Sequence, residues 1–121
     1  MIKTKREVGM ANNLDLDLRC YESMVVFDPD LSEEDFNKAI GWVKGIIERN
    51  NAQLLKVDLW GKRKLAYEIN KKREGVYVLF YFRSNPEFIE ELERNYRINS
   101  NVMRYLTVRI KDKKCQSLLT E

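Results

Sequence analysis

At 121 residues the chain has the size of one domain, long enough to bury a core without disulfide or metal staples. Hydrophobic residues make up 44% and charged residues 34%, the balance of a soluble globular protein with a heavily charged surface, and a net charge of +3 selects no partner by itself. The absence of histidine, the wide separation of Cys20 and Cys115, and the lack of a long apolar run argue against a zinc site, a membrane span and a secretory signal. The two thiols are expected to be free, as in a reducing cytosol.

Residues 1–18 are polar and aperiodic, with Lys3, Lys5 and Arg6 set against Glu7, Asp15 and Asp17, and read as a flexible extension. Met10 offers an alternative start. Arg19 to Asp28 alternates as a strand, with Tyr21, Ser23, Val25 and Phe27 on one parity and Met24 and Val26 on the other. Pro29 ends it, since proline restricts the residue before it and cannot donate to a ladder. Ser32 is a helix cap followed by Glu33, Glu34 and Asp35, which face the positive end of the helix dipole. Phe36, Ala39, Ile40, Val43, Ile46 and Ile47 then recur at helical spacing, with Trp42 at the margin of the stripe, to about Arg49. Asn50-Asn51 is the stop.

A second strand runs from Ala52, is interrupted by Gly61, and resumes to Ile69. An interior glycine in a strand marks a bulge or bend. Lys62, Arg63 and Lys64 follow it and cannot be buried unpaired, so they form a positive knuckle facing solvent or an anion. Asn70 to Gly75 reads as a charged hairpin loop closed by the glycine. Val76 to Phe82 is apolar on both faces, as in a central strand or one whose second face meets a partner. Asn85-Pro86 opens a second helix with Phe88, Ile89, Leu92 and Tyr96 as its apolar stripe. Val102 to Ile110 is the last strand, and 112–121 reads as a flexible polar tail. Charge is polarised: 52–75 holds seven Lys/Arg against three Asp/Glu (+4), and 85–97 holds two Arg against four Glu (−2).

The order βαββαβ, with right-handed crossovers, puts both helices on one face of a four-stranded antiparallel sheet. The expected fold is thus α+β, a ferredoxin-like two-layer sandwich over 19–111, with the other sheet face open.

Gly61-Lys62-Arg63-Lys64-Leu65-Ala66-Tyr67-Glu68-Ile69-Asn70 resembles the signature Gly-x-Arg-x-Leu-Ala-Tyr-x-Ile-Asn of the family of the sixth protein of the bacterial small ribosomal subunit. Tyr21-Glu22-Ser23-Met24, Asp28-Pro29-Asp30-Leu31 and Glu74-Gly75-Val76-Tyr77 fit the same family in order and spacing, so the likeness runs from about Cys20 to Lys111. Lys64 and the long N-terminal segment depart from its common pattern. The resemblance implies a structural constituent of the small subunit, bound to small-subunit ribosomal RNA. It also implies a heterodimer with the eighteenth small-subunit protein, formed during assembly. The implied location is the ribosome in the cytoplasm, with an organellar ribosome left open.

The candidate RNA contacts are Arg19, Lys62, Arg63, Lys64, Arg104, Arg109 and Lys111, cations able to neutralise phosphates. Candidate partner contacts, drawn from the face expected to be open, are Met24, Val26, Tyr77, Leu79 and Tyr81. No acid/base or nucleophilic constellation, phosphate loop or metal spacing is present, so no catalysis, cofactor, metal or small-molecule substrate is expected. Two alternatives remain. A ferredoxin-like ligand-binding or oligomerisation domain would lack RNA affinity. An RNA recognition motif would need a small residue and paired stacking aromatics in the third strand, and Gly75-Val76-Tyr77-Val78-Leu79-Phe80 lacks them.

Overall fold

A computed structural model describes residues 18–120; of the extension expected over 1–18, all but Leu18 lies outside the described residues. The elements follow as β1 (Arg19–Phe27), α1 (Glu33–Arg49), β2 (Gln53–Ile69), β3 (Lys72–Ser84), α2 (Phe88–Ile98), β4 (Val102–Arg109) and α3 (Asp112–Thr120). The strands form one antiparallel sheet in the order β2-β3-β1-β4, the ferredoxin-like arrangement expected from the sequence.

Local chemistry sets the helix ends. Ser32 Oγ accepts the Asp35 N–H at 3.1 Å, which satisfies one of the free donors of the first turn of α1. Asn51, with φ 61°, turns the chain out of α1 through the left-handed region. Asn85 Oδ1 accepts the Phe88 N–H at 3.0 Å, but regular helix begins only at Phe88 with Glu87 in the cap position, two residues later than expected.

One face of the sheet carries Tyr21, Val25, Phe27, Val78, Phe80 and Phe82 against Val43, Ile46 and Ile47 of α1 and Leu92 and Tyr96 of α2. Most of these side chains have no exposure, and this layer is the main core. Ser23 sits within it at 0% exposure and shares a 2.8 Å hydrogen bond with the Tyr96 hydroxyl and a 2.9 Å one with Thr107 Oγ1. Burial pushes the Tyr96 phenol far up, with the Ser23 hydrogen bond opposing, so the hydroxyl stays neutral and able to donate.

Three expectations are corrected here. Of the tail expected over 112–121, residues 112–120 are instead α3, a nine-residue helix whose Leu118 is buried on the second face of the sheet beside Leu79, Tyr81, Cys20 and Ile110, and residue 121 lies outside the described residues. That face is therefore only partly open, and Leu79 (1% exposed) and Tyr81 (7%) lie beneath the chain's own helix. Finally, Cys20 and Cys115 are not free thiols but a disulfide with a Cα–Cα separation of 5.7 Å. The register of β1 brings Cys20 to the end of the sheet from which α3 departs, and the bond closes there.

The hairpin is tighter than the six-residue loop expected from the sequence. Asn70 (φ 50°) and Lys71 (φ 65°) alone make the turn, and both adopt the left-handed conformation that matches strand twist. Gly75 lies inside β3 instead of closing the loop. It is buried, and a Cβ there would overlap Val26 Cγ1 and touch Leu65 Cδ2. Its role is close approach, which lets the hairpin lie down on β1.

Candidate nucleic-acid interface

Three register shifts shape β2, the last between Lys64 and Ile69. Leu55 is extra between the pairs Leu54↔Phe82 and Lys56↔Tyr81, and Trp60 is extra between Leu59↔Val78 and Gly61↔Tyr77. Gly61 takes φ +85°, so the expected kink is real and needs glycine. Trp60 projects at the bulge, with its indole N–H donating to Asp58 Oδ2 at 3.1 Å. The Arg63 guanidinium lies 4.9 Å over the indole ring. Lys62, Arg63 and Lys64 are all exposed.

Beyond the bulge the hairpin bends across the second sheet face. β2 and β4 are opposite edges of the sheet, yet the Arg104 guanidinium of β4 stands 5.5 Å over the Tyr67 ring of β2. Val26, in register with Arg104, is sealed beneath at 0% exposure. Lys72 anchors the hairpin to the loop after β1, pairing with Asp30 and lying 3.5 Å from Asp28 Oδ1. The Lys72 hydrogen bond holds the Asp30 carboxyl below the usual range, and the Asp30 hydrogen bond raises the Lys72 ammonium. A cavity of about 770 Å³ opens between hairpin and loop, and Lys62, Lys64, Lys71, Lys72 and Arg73 line it together with Asp30, Glu68 and Glu74.

The remaining candidate cations form a second group at the other end of the sheet. Arg19 starts β1, Arg109 pairs with Tyr21, and Lys111 follows β4. Arg19 and Arg109 line a cavity of about 400 Å³ with Arg83, Asp112 and the two cysteines. The nine residues of β1 separate the groups by about 26 Å at strand rise. The structure thus brings Lys62, Arg63, Lys64 and Arg104 together, and Arg19, Arg109 and Lys111 together, but not the one set with the other. Arg83 is not among the cations expected from the sequence, although antiparallel pairing of the first and third strands places it beside Cys20.

Of the candidate partner residues, Met24 and Tyr77 are half-buried, whereas Val26, Leu79 and Tyr81 are covered by the chain itself, Val26 by the hairpin and the other two by α3. The accessible apolar surface on this side lies on β4: Leu106, opposite Met24, is 56% exposed, and Val108, opposite Glu22, is 44% exposed. Among the described residues, no three of His, Cys, Asp and Glu gather to hold a metal ion, and no helix is long and apolar enough to cross a membrane.

The sequence model of the family described as Ribosomal protein S6 matches residues 20–109. The chain is 48% identical over 95 residues to the small ribosomal subunit protein bS6 of Caldanaerobacter subterraneus subsp. tengcongensis, covering 78% of this chain and 100% of that one. It is 47% identical over 91 residues to that of Clostridium novyi, covering 75% and 96%. Its fold matches the crystal structure of 30S ribosomal protein S6 from Thermotoga maritima with a TM-score of 0.76 at 36% identity, over 85% of this chain and 97% of that one. The C-terminal domain of the MgtC protein from Mycobacterium tuberculosis shares the fold alone, at 10% identity and a TM-score of 0.56.

Proposed function

The chain belongs to the ribosomal protein S6 family, and from that premise we propose that it holds small-subunit ribosomal RNA directly, through two cation groups, as a heterodimer with the eighteenth small-subunit protein. It is a structural constituent of the small ribosomal subunit, associated with the ribosome and its RNA, and is not an enzyme. Its likeness to bacterial relatives supports the cytoplasm as the place where it acts.

The observation that carries RNA contact is the bent hairpin. It displays Lys62, Arg63 and Lys64 without burying them, and its Tyr67 stands beneath Arg104 of the far edge strand. Cations fixed on rigid strands suit recognition of RNA by backbone and shape. Exposed Trp60 and Tyr67 add ring faces on which a base can stack. Arg19, Arg109 and Lys111 serve a second RNA segment. The partner docks on the uncovered side of the sheet, on Met24, Tyr77, Leu106 and Val108, with Val26, Leu79 and Tyr81 beneath that surface.

The test is binding of the purified chain to small-subunit RNA fragments, with and without the eighteenth protein, across a salt series. Replacing Lys62, Arg63 and Lys64 together with Gln should weaken binding and lower the slope of log affinity against log salt by about 2–3, at roughly 0.7–0.9 for each phosphate left without its cation. An unaltered slope would make the knuckle a solvated turn. Loss of all RNA affinity alongside tight binding of a small metabolite would favour a ligand-binding domain instead.

A further inference from the structure

Part of the sheet face proposed for the partner is occupied by the chain itself. α3 buries only Leu118 there, while Lys114 pairs with Glu22 at 3.6 Å and stands 5.2 Å over the Tyr81 ring. Isolated helices shorter than about 12–15 residues are marginal in water, and α3 has nine. One buried side chain and one exposed ion pair hold such a helix weakly. What fastens it is the Cys20–Cys115 bond, which joins positions 95 residues apart in the chain. A cavity of about 400 Å³ opens beside that bond, and three cations, Arg19, Arg83 and Arg109, line it with one anion, Asp112, and both cysteines. Neighbouring cations favour the thiolate, the form that attacks and leaves in disulfide exchange.

We propose that the Cys20–Cys115 bond is a redox-operated latch, closed when oxidised to pin α3 over Leu79 and Tyr81, and opened by a dithiol reductant to bare that half of the sheet. The dithiol's thiolate attacks Cys115 Sγ, since Cys115 is half-exposed and Cys20 is only 2% exposed. Cys20 leaves as a thiolate and takes up a proton. The reductant's second thiol then displaces Cys115 from the mixed disulfide. Two electrons and two protons pass to the chain, and the dithiol ends as its own disulfide. The bond suits a regulatory role because disulfides in reducing compartments are mostly transient or redox-sensing. The consequence for docking rests on the partner face proposed above; the release of the helix does not.

The test uses the full chain, oxidised or treated with dithiothreitol, with thiol titration, hydrogen exchange, and calorimetric binding of the purified eighteenth small-subunit protein. Reduction should expose two thiols, speed amide exchange over 112–120 by about tenfold or more, and leave β1 and β3 unchanged. Affinity for the partner should rise by about tenfold, within the usual range of coupling between sites. Cys115→Ser should behave as the reduced chain under either condition. Equal exchange of α3 in both redox states overturns the latch. A helix that loosens on reduction while the partner binds both forms equally overturns its control of docking. A helix that loosens while the partner binds neither form upholds the latch and removes the docking face instead.

Discussion

The two faces of the sheet are built on opposite terms. The first meets two amphipathic helices, and Val25, Phe27, Val78, Phe80 and Phe82 vanish from solvent against them. The second is closed piecemeal: the bent hairpin covers Val26, a short helix covers Leu79 and Tyr81, and Leu106 and Val108 are left bare on β4. Burial on the first face is continuous and holds the fold. On the second it is divided among separate elements, each fastened at its own point, the hairpin by Lys72 to Asp30 and α3 by the Cys20–Cys115 bond.

Breaking the first face should therefore have the largest effect. Phe80→Ala, at the centre of the sheet with 0% exposure, should lower unfolding free energy by about 3–5 kcal/mol in chemical denaturation, through lost transfer energy and the cavity left behind. On the second face, Gly75→Ala forces a methyl onto Val26 and should cost about 1–3 kcal/mol by overpacking, with chemical-shift changes concentrated in the hairpin and β1. Leu106→Asp touches only the bare edge. It should stay within about 0.5 kcal/mol of the parent in stability while abolishing heterodimer formation in size-exclusion or calorimetric assays. Unchanged pairing would remove that edge from the interface.

The smallest effect concerns pH. The folded-state pKa of Asp30 is lowered, so its anchoring of the hairpin is present above the unfolded carboxylate value and is lost as pH falls through the folded one. Lys72 is raised, so its share is present below the unfolded ammonium value and is lost as pH rises through the folded one. Resonances of Lys71 to Gly75 should therefore hold steady across neutral pH and shift only at strongly acidic and strongly alkaline ends. Asp30→Asn should remove the acidic transition.

The order of strands and helices was legible because each is long enough to show its period, and Ser32 and Asn85 mark helix starts by chemistry that operates locally. The kink at Gly61 was legible for the same reason. α3 was not. Cys115, Leu118 and Leu119 do have helical spacing, but nine residues give only about two and a half turns, and the segment is helical because it has a sheet to lie on. The disulfide depends on a separation of 95 residues closing in space, which no spacing rule anticipates. Gly75 does not close the turn, because a buried glycine needed for close approach and a glycine needed for positive φ look alike in sequence. The cations were legible one by one but not as two groups, since only strand register reveals which end of the sheet each belongs to.

The surplus residue at Trp60 acts as a gear tooth. Side chains of a strand change sides at every step, and the bulge takes up the added residue, so the pairs on either side of it keep their common faces. Taking Trp60 out would leave Leu59↔Val78 and Gly61↔Tyr77 as successive pairs: Lys62, Arg63 and Lys64 would keep their partners and faces, and the bend that aims them would straighten, with no change in the number of charges. Which way this arm of the molecule reaches is thus decided by counting, before any electrostatic force is felt.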